Sequence, residues 1–71
     1  SLYSAESSYL DAKNKLAEKR ARLAQLEHDA NATEQDVLEA RNNVIEAQRD
    51  LQQNEMRLYE ARDSIFTKHN K

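Results

Sequence analysis

Apolar residues recur at every seventh position: Leu2, Tyr9, Leu16, Leu23, Ala30, Val37, Val44, Leu51, Leu58 and Ile65, with no polar interruption. Three residues after each runs a second column, Ala5, Ala12, Lys19, Leu26, Thr33, Ala40, Ala47, Asn54, Ala61 and Lys68, in which small side chains predominate. Taken as heptad positions a and d, the two columns are the seam of a left-handed coiled coil. A large column beside a small one packs closely when each large residue faces a small one, and that favours an antiparallel partner. The pattern predicts an all-α rod that binds something, not a catalytic domain.

One stretch is weak for helix: His28-Asp29-Ala30-Asn31-Ala32-Thr33. Thr33-Glu34-Gln35-Asp36 puts a hydroxyl cap ahead of an acidic first turn, with the acid at the capping-box position. Asn31 tolerates the left-handed conformation that often ends a helix. The expected fold is therefore an antiparallel two-helix coiled-coil hairpin with its turn near residues 29–33. Helix one is expected over about residues 3–29 and helix two over about 33–69. Folding back there sets Leu2 against Ala61, Ala5 against Leu58, Tyr9 against Asn54 and Ala12 against Leu51. It continues with Leu16 against Ala47, Lys19 against Val44, Leu23 against Ala40 and Leu26 against Val37. Most layers pair large with small, which fills the seam without overpacking. The competing possibility is a single uninterrupted helix in a dimer, because the heptad phase runs through the turn unbroken.

A third apolar column, at position b, lies about 100° around the helix from the first. It includes Tyr3 and Leu10 on helix one and Leu38, Ile45, Tyr59 and Phe66 on helix two. These side chains would stay exposed in an isolated hairpin, and the helix-two set is expected to serve lateral packing.

Composition sharpens this. The 71 residues contain no Gly, Pro, Cys or Trp, where average usage would supply roughly eight or nine Gly plus Pro. Charged residues make up 34%, but their alternating signs and the strict apolar period describe solvated helix instead of disorder. A net charge of −2 favours neither nucleic acid nor an anionic membrane surface. No stretch is apolar enough to span a bilayer, and no signal-peptide core is present. The chain begins without Met, which suggests a piece of something larger.

Enzyme chemistry finds no support. His28 and His69 are too far apart for a metal-binding i, i+4 pair, and consecutive residues such as Glu27-His28-Asp29 point apart on a helix. The serines have neither a His in helical reach nor a Gly-rich elbow. Lys13, Lys15, Lys19, Arg20 and Arg22 are diluted by Asp11, Glu18 and Glu27, with Asp11–Lys15 and Glu18–Arg22 expected as i, i+4 ion pairs. No metal site, cofactor or nucleic-acid partner is expected.

The segment from Arg22 to Asp36, RLAQLEHDANATEQD, resembles the tip of the α-helical hairpin of periplasmic adaptor proteins, also called membrane fusion proteins. These serve tripartite efflux pumps and type I secretion systems. Their tip pattern of Arg, then Leu four residues on, then Ser or Thr seven further, is matched by Arg22, Leu26 and Thr33. The stretch from Asp36 to Leu51 is similar to their returning helix, especially in adaptors of the haemolysin-secretion type. The family tip often carries a Gly and an Ile before the Ser or Thr; here Asp29 or Asn31 and Ala32 stand there. The lipoyl halves and β-barrel that bracket an adaptor hairpin lie outside the match, so the resemblance implies an excised hairpin.

It implies further that Arg22, Leu26 and Thr33 form a tip that meets the helical end of an outer-membrane channel. Sister hairpins would pack on the flanks, an inner-membrane transporter would be reached through the missing domains, and the setting would be the bacterial periplasm. The rivals are a generic coiled-coil dimerisation rod and a receptor-binding hairpin of a bacteriocin.

Overall fold

The computed structural model describes the backbone of residues 1–69 and the side chains of residues 1–65. Two helices, α1 (Leu2–Glu27) and α2 (Glu34–His69), pack against each other as an antiparallel hairpin 61 Å long. No strand occurs among the described residues. The long uninterrupted helix is thereby set aside. Phe66, expected in the lateral stripe, lies outside the residues whose side chains are described.

The a and d columns bury as their spacing demands. Ala12, Leu16, Leu26, Ala40, Ala47, Asn54 and Leu58 form the buried set, and every one is an a or d position. Leu2, Ala5, Tyr9, Lys19, Leu23, Val37, Val44, Leu51 and Ala61 are half-buried beside them. A two-helix rod can cover only one stripe of each helix, so no large side chain is sealed completely. The expected register fits the ends of the rod. Leu2 and Ala61 still shelter each other's layer, whereas Ile65 is exposed because helix one has run out opposite it.

Asn54 is the polar exception in the seam, at 7% exposure. Its Nδ2 donates to the Asp50 carbonyl at 2.8 Å and to Asp50 Oδ1 at 3.3 Å. Both acceptors are one turn back on its own helix, so the amide is satisfied without a partner on helix one. A compact residue here also leaves room for Tyr9, its expected facing residue.

The turn departs from expectation in its chemistry. Helix one stops at Glu27, two residues earlier than expected, and the loop covers residues 28–33. No non-Gly residue among those described has a positive φ, so Asn31 does not adopt the left-handed conformation. Side-chain and tightened backbone bonds close the turn instead. The His28 N–H is shared between the Ala24 and Gln25 carbonyls at 3.3 Å each, and the Asp29 N–H reaches Leu26 O at 3.2 Å. Asp29 then accepts twice: from the Asn31 N–H at its carboxylate (2.9 Å) and from the Ala32 N–H at its carbonyl (3.1 Å). That Asx arrangement reverses the chain with ordinary negative φ angles.

Both helices are capped at their N-termini. The Ser1 hydroxyl accepts from the Ser4 N–H at 3.2 Å, a cap the heptad pattern does not reveal. Thr33 and Asp36 form a reciprocal capping box: Asp36 N–H to Thr33 Oγ1 at 3.1 Å, and Thr33 N–H to Asp36 Oδ2 at 3.2 Å.

Two measurements test this architecture. Truncating Leu16, buried against small residues, should cost roughly 2–4 kcal/mol, with a smaller loss for the half-buried Leu51→Ala. A circular dichroism melt unmoved by Leu16→Ala would mean that the column is not the core. With Leu23→Cys and Ala40→Cys combined, oxidation at high dilution should give an intrachain disulfide; purely intermolecular products would contradict the fold-back.

Candidate functional site

The residues marked out at the apex are brought together unequally. Arg22 and Leu26, one helical turn apart, line a shallow cleft at the tip end of the rod with Asp36, Glu39, Ala40 and Asn43 from helix two. Thr33 stands at the start of that helix. The cleft, about 110 Å³, is below the roughly 300 Å³ at which small-molecule pockets begin. It suits a side chain or a helix end better than a metabolite.

Each residue has a distinct local role. Arg22 is exposed, and the expected Glu18–Arg22 pair does not form; neither does Asp11–Lys15. The one ion pair within 4 Å among the described residues joins the helices instead, Arg41 Nη2 to Glu27 Oε2 at 3.6 Å, and both side chains are well exposed. Cross-helix geometry won over i, i+4 spacing because positions e of antiparallel partners face each other across the seam. Exposed pairs of either kind contribute little, so the choice is energetically cheap.

Leu26 is only 8% exposed. It fills the last core layer before the turn, its expected place in the seam, and leaves only its edge for the tip contact that the resemblance implies. Thr33 is exposed and its hydroxyl is occupied by the Asp36 N–H. Its work is to start helix two. Of the three, Arg22 alone presents unengaged hydrogen-bonding capacity: five N–H donors in a planar fork, beside the carboxylates of Asp36 and Glu39.

The second candidate surface is the lateral stripe. Tyr3, Leu10, Leu38, Ile45 and Tyr59 are all exposed, and Met56 and Ile65 are exposed outside that column. Tyr59 donates to Glu55 Oε1 at 3.4 Å, a marginal bond. On the seam's edge, the Lys13 ammonium lies 5.7 Å from the Tyr9 ring centroid, within cation–π range.

Among the described residues no group of three or more His, Cys, Asp or Glu side chains converges as a metal site would require. No helix among them is long and apolar enough to cross a membrane. The described residues form an antiparallel helical hairpin with the unpaired, exposed Arg22 near its tip and one apolar flank. Compared with known protein families, curated proteins and solved structures, the chain matches none.

The cap can be tested directly. Thr33→Ala should cost about 1 kcal/mol, read as a lower melting temperature with faster amide exchange at Asp36 and Val37. Unchanged exchange there would show that the capping box does not hold the start of helix two.

Proposed function

We propose that this hairpin is the docking arm of a periplasmic adaptor that links an inner-membrane transporter to an outer-membrane channel. In this reading the apex meets the helical end of the channel, and the transporter is engaged by parts of a larger protein. Support comes from the match of Arg22, Leu26 and Thr33 to the adaptor tip pattern, on a chain that folds back beside those residues. The observation that carries it furthest is the state of Arg22: exposed, without an ion pair, at a cleft too small for a metabolite. A guanidinium in that position can donate in a fork to carbonyls or carboxylates on another helical tip. The stability of the hairpin itself does not depend on it, because Leu23 and Leu26 supply the adjacent core layers.

The test uses the full-length protein that carries the hairpin. Arg22→Gln removes the fork without adding a charge beside Asp36 and Glu39. Melting should shift by no more than about 0.5 kcal/mol. Channel docking should weaken roughly tenfold or more, the loss expected when a charge-assisted hydrogen bond leaves its partner unpaired. Arg49→Gln, on the outer surface of helix two, is the control and should leave docking intact. Undiminished docking by a well-folded Arg22→Gln protein would remove the tip from the reading.

A further inference from the structure

The two broad faces of the hairpin are chemically unlike. Positions b and e lie on the same side of the seam, about 100° and 40° from position a. In an antiparallel pair both helices turn these columns to one common face. The Glu27–Arg41 ion pair, both at position e, spans that face. So does a cleft lined by Glu6, Leu10, Leu58 and Arg62. Tyr3 and Leu10 of helix one therefore share it with Leu38, Ile45 and Tyr59 of helix two. The opposite face has no apolar side chain beyond Ala32 in columns c and g among residues 1–65. Column c carries Asp11, Glu18, Glu39, Glu46 and Glu60 with no base.

We infer that the apolar face is covered by a second copy of this chain, packed antiparallel to form a four-helix bundle. Charge complementarity selects this occupant. Column e carries four acids and four bases in bands along the rod: Arg62 at the open end, then Glu6 beside Glu55, then Lys13, then Arg20 beside Arg41, then Glu27 beside Glu34 at the tip end. An antiparallel copy with Tyr3 over the partner copy's Ala24 also sets Leu10 over its Ala17 and Ile45 beside its Gln52. The same placement brings Arg62 to the partner copy's Glu27 and Glu34, and Glu6 and Glu55 to its Arg20 and Arg41. Large side chains then meet smaller ones on helix one. Opposite charges meet in every band but the central one, where Lys13 lies near the partner copy's Lys13 across the two-fold axis. With tips aligned, three bands meet their own sign, Glu27 on Glu34, Arg20 on Arg41 and Glu6 on Glu55, while Lys13 faces the neutral Gln48. Like charges across an interface suppress that orientation.

The size also fits. A rod of 61 × 14 Å between Cα extremes presents roughly 850 Å² per copy, close to the ~800 Å² per partner of a stable interface. Because the chain has one such face, a two-fold contact closes it and leaves no open edge. The tip cleft is lined by Arg22, Asp36 and Asn43 at position g, on the other flank, so the pairing does not rest on the docking proposal. Because it sets the two tips at opposite ends, it replaces the tip-aligned packing of sister hairpins that the adaptor resemblance implies.

Sedimentation equilibrium of the 71-residue chain at up to about 1 mM should show a dimer. Leu38→Glu with Ile45→Glu, at positions 46% and 45% exposed, should give a monomer of unchanged helicity. If that variant loses helicity, Arg62→Glu serves instead: it should weaken the dimer severalfold, and adding Glu34→Arg should restore it. Orientation is read from Gln48→Cys, in a chain without other cysteines. Gln48 falls near the two-fold axis of the antiparallel pair and should oxidise to a disulfide-linked dimer. A wild-type monomer at the highest concentration would overturn the inference. So would crosslinking of Gln48→Cys only to a chain carrying Lys13→Cys, the signature of tip-aligned copies.

Discussion

Everything in this molecule depends on one narrow strip of apolar contact between two helices. A strip one side chain deep cannot seal a large residue, and the most buried positions are accordingly alanines, Ala40 and Ala12, with Leu58 and Leu16 close behind. Small residues let the backbones approach, and large ones across from them fill the space created. Column a supplies most of the volume and column d most of the closeness. Exchanging a few alanines of column d for leucine would force the helices apart and uncover both columns.

A core this thin makes the polar details matter more than they would in a globular domain. Asn54 sits in the seam yet satisfies its amide on Asp50, so it carries little of the penalty of an orphaned polar group and makes no bond across the helices. A polar residue at such a position can specify partner and register by pairing across the seam. Here the turn takes that part. Six residues close it, with N–H groups of His28, Asp29, Asn31, Ala32 and Thr33 all given acceptors, and the pairing of every later layer follows from where it closes.

The rod divides its surface into three chemistries. The seam holds the helices together, an acidic and polar face meets water, and an apolar, charge-balanced face remains available for contact. The tip adds a cation that has neither an ion pair nor a core role. Interaction sites on such a molecule are separable from its folding: Leu38 and Arg22 can change without touching the seam, whereas Leu26 cannot. This is why Arg22 carries the docking proposal and Leu26 does not.

Periodicity alone determined the helices and the seam, because the a/d stripe is what must be buried. The register came from the place of the turn, since a fold-back shifted by one heptad would pair the same columns. The Thr33–Asp36 capping box was equally legible, since it needs only residues three apart. The exposed stripe through Tyr3, Leu10, Leu38, Ile45 and Tyr59 also followed from angular position. The ion pairing was not legible in this way. Glu18–Arg22 has favourable spacing within one helix, but Glu27–Arg41 forms instead, because which charges face each other across a seam depends on both helices at once. The mechanism of the turn was likewise hidden: Asn31 invited a left-handed residue, yet Asp29 closes the loop through its own carboxylate and carbonyl. Heptad position had already set Leu26 in the seam and Arg22 outside it. Only the tertiary structure showed that so little of Leu26 is left exposed and that Arg22 finds no ion-pair partner, since both depend on what helix two covers.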